Sequence, residues 1–160
     1  MEQAGLVLGT FSMDNEINIK NKRASFEYSF LDKFIAGIQL TGTEIKSIRE
    51  GKASISESFC VILNDELWVR NLNINEYSKG NIYNHEPKRD RKLLLKKQEL
   101  NKLISKLKDQ GLAIIPLRMF ISKSGYAKLE IALSKGKKIF DKREDIKKRD
   151  TQRDIERHIK

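Results

Sequence analysis

Residues 112–133 read LAIIPLRMFISKSGYAKLEIAL, and this stretch decides the fold. Apolar residues fill both halves, and the segment at 122–125, SKSG, has a composition typical of a turn. In the second half every other residue from Ala127 to Leu133 is apolar, which is the period of a strand with one buried face. Pro116 cannot donate to a sheet ladder, so it belongs at an edge or a bulge. The pattern predicts a β-hairpin.

A second hairpin is predicted upstream. Residues 58–63 (SFCVIL) and 66–74 (ELWVRNLNI) are rich in β-branched and aromatic residues, and Asn64-Asp65 between them favours a tight turn. Two shorter β-like runs lie at residues 26–30 (FEYSF) and 34–40 (FIAGIQL). Residues 31–33 are expected to join these two runs.

Two helices are predicted between the strands. Thr41 and Glu44 have the spacing of a capping box at the start of a short helix, and Gly51 is placed to end it. Over residues 91–110 the leucines recur at helical spacing, which predicts a second helix. Leu94 and Leu95 lie off the apolar stripe of that helix.

These elements together predict a mainly β fold with α, built as a small antiparallel barrel with flanking helices. A chain of 160 residues with 39% hydrophobic residues fits one domain with appendages. We divide it into an N-terminal extension at 1–16, a β-barrel domain at 17–134 and a basic C-terminal tail at 135–160. The extension is expected to be disordered, or its first twelve residues to precede a true start at Met13.

The tail is strongly basic. It holds eleven Lys or Arg and six Asp or Glu, a net charge of +5 out of +10 for the chain. With few large apolar residues it cannot offset the entropy of ordering, so we expect disorder in isolation. Acid-to-base pairs at i,i+4, such as Asp145 with Arg149, lower the cost of folding it into a helix on a partner. The tail is therefore predicted to be conditionally helical.

The sequence carries no nucleotide-binding glycine loop and no nucleophile elbow, so we expect no enzymatic activity. His85 and His158 have no Ser or Cys beside them in the sequence, and Cys60 sits in a strand pattern typical of a small core residue. A lone cysteine offers no metal cluster or disulfide framework. We therefore expect no cofactor, no metal, no membrane attachment and a monomer in the cytoplasm.

The excess of basic over acidic residues instead indicates a polyanionic partner. Asn21-Lys22-Arg23 carries amide and cationic donors suited to phosphate and sugar contacts. Lys46 and Arg49 lie three apart on the short helix, and Tyr126 shares the outward face of the last strand with Lys128. A further cationic cluster at the start of the predicted second helix would attract phosphate. It comprises Lys88, Arg89, Arg91, Lys92, Lys96 and Lys97.

Four motifs, in this order and spacing, resemble the SmpB family, whose members bind transfer-messenger RNA (SsrA). They are NKRASFEY, AGIQLTGTEIKSIREGKASISES, NHEPKRDRKLLL and SKGKKIFDKREDIKKRD, and the likeness runs from about residue 19 to the C-terminus. It implies an oligonucleotide-binding-type β-barrel with flanking helices.

The resemblance also implies a function in trans-translation. Such a protein binds the tRNA-like domain of transfer-messenger RNA and delivers it to the A site of stalled ribosomes. Its tail probes the decoding centre of the small-subunit rRNA and the empty mRNA channel. Elongation factor Tu is an indirect partner through the RNA. The alternative is a general RNA-binding or ribosome-associated structural protein without a rescue role.

By the same resemblance, Asn21, Arg23, Leu95 and Lys128 are expected to face RNA. Together with the residues chosen on charge, the predicted RNA-binding set is Asn21, Lys22, Arg23, Lys46, Arg49, Arg91, Lys92, Leu95 and Lys128. The predicted decoding-centre set in the tail is Gly136, Lys137, Lys138, Phe140, Asp141, Lys142 and Arg143.

The chain departs from the family pattern at one position. Members usually have an aromatic residue followed by Glu-Ala-Gly, where this chain has Phe34-Ile35-Ala36-Gly37. That Glu is associated with RNA recognition, and Ile35 cannot accept a hydrogen bond. Either another acidic residue substitutes for it, or the protein does without the contact.

Overall fold

The computed structural model of the protein describes residues 17–80, 83–108 and 111–159, apart from the side chains of residues 139–141, 158 and 159. The predicted N-terminal extension, 1–16, lies outside the described residues. The elements are β1 (Asn18–Lys20), α1 (Ala24–Glu27), β2 (Tyr28–Ile38), α2 (Gly42–Arg49), β3 (Ala53–Ser54), β4 (Phe59–Leu63), β5 (Glu66–Arg70), β6 (Asn73–Ile74), β7 (Arg91–Leu94), α3 (Lys97–Lys106), β8 (Leu112–Ile121), β9 (Ala127–Gly136) and α4 (Ile139–Ile159).

Six strands close into an antiparallel barrel. The sheet order is β1-β8-β4-β5-β7-β2-β9, and β8 also pairs with β9, which closes the ring. β1 lies outside the ring as an extra strand on β8. The mainly β barrel with flanking helices predicted from the sequence is confirmed, and closure removes the open sheet edges that would otherwise invite aggregation.

The core fills the barrel with the inward residues of every strand. Phe34 and Ala36 of β2 meet Leu129 and Ile131 of β9, and all four are buried. Ile48 of α2 closes the core and has no exposed surface.

The structure confirms the predictions that rest on residues close together in the sequence. Asn64 and Asp65 both have positive φ, 51° and 60°, as a tight two-residue hairpin turn requires. The backbone N–H of Thr41 donates to Oε1 of Glu44 at 2.8 Å, the expected capping-box bond. Gly51, at φ 75°, follows α2 and its C-cap Glu50.

The structure corrects two element boundaries. Residues 28–38 form one continuous strand, and a register shift between Phe30 and Asp32 absorbs Leu31, which is 57% exposed. The helix predicted at 91–110 is a strand, Arg91–Leu94, followed by a shorter helix, Lys97–Lys106. The residues of that strand alternate between the interior and the surface. In the sequence, the run of leucines at 93–95 hides this two-residue period.

The end of the domain also differs from the predicted boundary at residue 134. β9 continues to Gly136, which pairs with Tyr28. The tail, for which the sequence predicts disorder in isolation and a helix on a partner, forms the helix α4 from Ile139 to Ile159 in this structure. Its first turns contact the body, as described below.

Candidate nucleic-acid interface

One side of the barrel presents a surface that combines cations with apolar side chains. Residues directly opposite each other on paired strands share a face of the sheet, so the strand register assembles this surface. We call it the outer sheet face. It comprises Asn18 and Lys20 of β1, Arg118 and Phe120 of β8, Lys128 and Glu130 of β9, Ile35 and Gly37 of β2, and Leu94 of β7.

A β-bulge in β8 decides which residues reach this face. Ile114 and Pro116 pair with inward residues of β9, and the register then shifts between Pro116 and Arg118. The shift turns Met119 into the core, where it has no exposed surface, and turns Phe120 outward opposite Lys128. The bulge expected at Pro116 is confirmed.

Asn21 holds the bulge in place. Its backbone N–H donates to the carbonyl oxygen of Leu117 at 2.8 Å, and its side-chain Nδ2 donates to the carbonyl oxygen of Pro116 at 3.0 Å. Its Oδ1 is buried and has no hydrogen-bond partner. The side-chain amide predicted to contact RNA therefore donates within the fold, and its oxygen is buried.

Asn21 and Arg23 of the N-K-R motif line a cavity. Lys22 is exposed, while Arg23 pairs with Glu27 at 3.1 Å and with Glu57 at 3.6 Å. The cavity has a volume of about 380 Å³. It is lined by Asn21, Arg23, Ala24, Glu27, Tyr28, Ser56, Glu57, Ser58, Phe59, Ala113 and Ile115.

The predicted residue Lys128 lies on the outer sheet face, but Leu95 does not. Leu95 packs against the hydrophobic core, whereas Leu94 is 47% exposed and lies opposite Gly37. Gly37 is flanked on its other side by Lys128. The exposed leucine at this place is therefore Leu94, because the segment is a strand and alternate residues face outward.

The structure also corrects the prediction for Arg91. Its side chain has no exposed surface, and Nη2 lies 2.6 Å from Oε2 of Glu44. Its Nη1 donates to the carbonyl oxygen of Leu72 at 2.7 Å. Arg91 therefore stabilises the interior and is not available to a phosphate. Of the predicted cationic cluster, only Lys96 and Lys97 lie at the start of α3, because residues 91–94 belong to the barrel.

The neighbouring cations have separate environments. Lys92 points away from the core and its Nζ lies 2.5 Å from Oε2 of Glu66. Lys46 lies 5.6 Å from the ring centre of Tyr77, and Arg49 donates to the carbonyl oxygen of Gly125 at 3.3 Å. Both α2 residues are exposed, and Arg49 reaches the turn between β8 and β9.

The tail helix is fastened to the body over its first turns. Lys137 donates from its backbone to the carbonyl oxygen of Glu27, and its side chain pairs with Asp145. Arg149 lies 4.9 Å from the ring centre of Phe26 in α1. From residue 150 to residue 157 every described side chain is exposed. The hydrogen bond from Lys137 lowers the pKa of Asp145.

The other predicted tail residues surround this attachment. Gly136 ends β9, Lys138 and Arg143 are exposed, and Lys142 is half-buried. The side chains of Phe140 and Asp141 lie outside the described residues.

No grouping of three or more His, Cys, Asp or Glu in the described ranges is placed to hold a metal ion. Within the same ranges, no helix is long and apolar enough to cross a membrane.

Sequence reasoning missed Arg118, Phe120 and Glu130. The sequence signal for them was Pro116, because a bulge there reverses which side of β8 each later residue faces.

Two other residues, for which the sequence offers no reason to expect reactivity, are structural. Cys60 is buried, which raises the pKa of its thiol, and His85 hydrogen-bonds Thr43 and the carbonyl oxygen of Ile74.

Known proteins share both the sequence and the fold. The family model described as SmpB protein matches residues 18–160. The chain belongs to the SmpB family. It is 57% identical over 150 residues to the SsrA-binding protein of Cytophaga hutchinsonii, covering 94% of this chain and 98% of that relative. It is 60% identical over 141 residues to the SsrA-binding protein of Flavobacterium psychrophilum, covering 88% and 94%.

A solved structure agrees with this SmpB assignment. The work is described as "tmRNA-SmpB: a journey to the center of the bacterial ribosome". One of its chains matches with a TM-score of 0.65 at 42% identity, over 77% of this chain and 86% of that one.

Proposed function

We propose that this SmpB-family protein is an RNA-binding adaptor for trans-translation in the cytoplasm. It binds the tRNA-like domain of transfer-messenger RNA and delivers it to the A site of stalled ribosomes. The observation that carries the proposal is the high identity to SsrA-binding proteins over nearly their whole length. Elongation factor Tu joins through the RNA. The protein acts as a binding module and not as an enzyme.

The geometry supports a division of labour between body and tail. The outer sheet face offers cations beside exposed apolar side chains, which suits an RNA backbone together with unpaired bases. Within it, Lys128 contacts phosphate, and Leu94 takes the apolar role expected for Leu95. Lys46, Arg49 and Lys92 supply further cations for the RNA backbone. Lys22 and Arg23 supply cations next to Asn21.

The tail supports the second half of the proposal. α4 leaves the body beside α1, and beyond Arg149 its exposed side chains are polar or charged except for Ile155. A helix of that composition suits an rRNA-lined channel. Lys138, Phe140, Asp141, Lys142 and Arg143, at its start, enter the decoding centre. Gly136 and Lys137 form the junction.

The experiment compares the full chain with a chain ending at Lys137. The truncation spares β9, whose last residue is Gly136. We expect both proteins to bind the tRNA-like domain with equal affinity and to prefer it over bulk tRNA. Only the full chain should support peptide tagging on stalled ribosomes. Equal affinity for bulk tRNA would favour the general RNA-binding alternative, and loss of RNA binding on truncation would refute the division of labour.

A further inference from the structure

Phe120 faces outward against the pattern of its own strand. Inward residues of β8 fall at Ile114 and Pro116, so an unbroken strand would direct residue 120 into the core. The bulge after Pro116 reverses the alternation and gives the core position to Met119. A large apolar ring is thereby placed on a cationic surface. The ring is half-buried, and its position beside cations suits a stacking ligand.

The ring is built into a cross-strand cluster. The guanidinium carbon of Arg118 lies 4.2 Å from the ring centre of Phe120, a cation–π stacking distance. Nε of Arg118 donates to Oε1 of Glu130 at 3.3 Å, and the two residues are direct partners across β8 and β9. Both side chains are partly buried, with 36% and 22% exposed. Glu130 therefore fixes the plane of the guanidinium against the ring.

The surroundings of the cluster match the parts of a nucleotide. Lys128 lies opposite Phe120, and Lys20 lies opposite Arg118. Ile35, which is 45% exposed, lies opposite Glu130. Planar stacking surfaces, an apolar neighbour and cations for phosphate lie within one patch. Bases stack on aromatic rings and on guanidinium planes alike.

We infer that Arg118, Phe120 and Glu130 form a stacking site for one unpaired nucleobase of the bound RNA. The base extends the Arg118–Phe120 stack, Lys128 holds an adjacent phosphate, and Glu130 positions Arg118. Phe120 and Arg118 touch the ligand, whereas Glu130 acts through Arg118. This inference rests on the proposed function, because it names a subsite on the same RNA-binding face.

The test measures the affinity of the full-length protein for the tRNA-like domain as a function of salt. We expect Phe120→Ala to weaken binding about tenfold, within the range for one lost base stack. The slope of log Kd against log salt should not change, because the ring neutralises no phosphate. Lys128→Ala should instead reduce that slope by about 0.7–0.9. Phe120→Tyr, which keeps the ring, should bind as the unmodified protein does.

Leu63→Ala is the control, an apolar side chain that is 43% exposed at the end of β4 and off the outer sheet face. It should leave the affinity unchanged. Glu130→Gln should weaken binding less than Phe120→Ala, and Glu130→Ala should weaken it more than Glu130→Gln. Chemical probing of the RNA supplies a second readout. One unpaired base should be protected by the unmodified protein and by Phe120→Tyr, but exposed with Phe120→Ala.

Binding by Phe120→Ala within twofold of the unmodified protein, with unchanged base protection, would overturn the inference while leaving the proposed function intact. The same result joined to a loss of ribosomal tagging would mean that the face docks on a protein, and would overturn it too. Failure of the unmodified protein to prefer the tRNA-like domain over bulk tRNA would instead refute the proposed function. If Phe120→Ala unfolds, Arg118→Gln replaces it with the same expected loss of protection.

Discussion

The guanidinium of Arg91 and the carboxylate of Glu44 lie 2.6 Å apart, and neither side chain has any exposed surface. Arg89 adds a second guanidinium, donating to both oxygens of Glu44 at 2.9 and 2.7 Å. Glu44 also caps α2, so one carboxylate ties that helix to β7 and to the loop before it. Burial alone would raise the pKa of Glu44, but the bonds from Arg89, Thr41 and Arg91 outweigh it and lower the pKa.

Glu44→Gln should destabilise the protein strongly. It leaves Arg91 as a buried cation without its counter-charge, which costs about 3–5 kcal/mol in the free energy of unfolding. Denaturant titration of the two proteins measures the difference. Glu50→Gln is the control, because Glu50 pairs with Lys52 on the surface and its loss should cost less than about 1 kcal/mol. Equal effects of the two substitutions would contradict the role assigned to Glu44.

The same carboxylate predicts a dependence of stability on acid. Its folded pKa lies below its ordinary value of 4.5. The stability it supplies is therefore complete above about pH 4.5 and is lost as the pH falls through the folded pKa. Unfolding free energies measured from pH 7 to pH 3 should fall more steeply for the unmodified protein than for Glu44→Gln. Parallel curves would show that other carboxylates govern acid unfolding.

The thiol of Cys60 should not react in the native protein. It is buried between β5 and β8, and burial raises its pKa and suppresses the thiolate. An aromatic disulfide reagent at pH 8 should modify it only as fast as the protein unfolds, and at once in denaturant. Rapid reaction without denaturant would mean that the barrel opens locally at β4.

The attachment of the tail should depend on Phe26. Removing the ring in Phe26→Ala takes away the contact with Arg149, so amide protection should fall over residues 142–149. Protection over residues 151–157 should be low in both proteins. Arg157→Ala, which removes only the pair with Asp154 near the free end, is the control and should leave residues 142–149 unchanged. Full protection in Phe26→Ala would assign the attachment to the backbone bond from Lys137 to Glu27, together with the Lys137–Asp145 pair.

Asn21→Ala should affect the outer sheet face from a distance. It removes the Nδ2 donor to the carbonyl oxygen of Pro116, at a cost of about 1–3 kcal/mol in the free energy of unfolding. Because that bond holds the bulge, RNA affinity should fall as well, with an unchanged salt slope. Asn101→Ala on α3 is exposed and off the outer sheet face, so it should change neither quantity. A loss of affinity with unaltered stability would instead indicate that Asn21 contacts the RNA directly.

The sequence by itself determined the features that arise between near neighbours. The alternation at 127–133, the Asn64-Asp65 turn and the Thr41–Glu44 capping box each depend on residues a few positions apart, and each was predicted correctly. The four motifs likewise identified the family, since their order and spacing are properties of the chain alone.

Only the tertiary structure decided the features that join distant segments. Arg91 was predicted on a helix surface, but a carboxylate 47 residues away draws it into the core and makes 91–94 a strand. Phe120 was predicted within an apolar strand, but a bulge held by Asn21 turns it outward beside Lys128. Neither outcome follows from local periodicity, because strand pairing and burial are set by contacts across the barrel. The sequence shows which residues are basic and which are apolar. The closed barrel determines which of their side chains are exposed to a ligand.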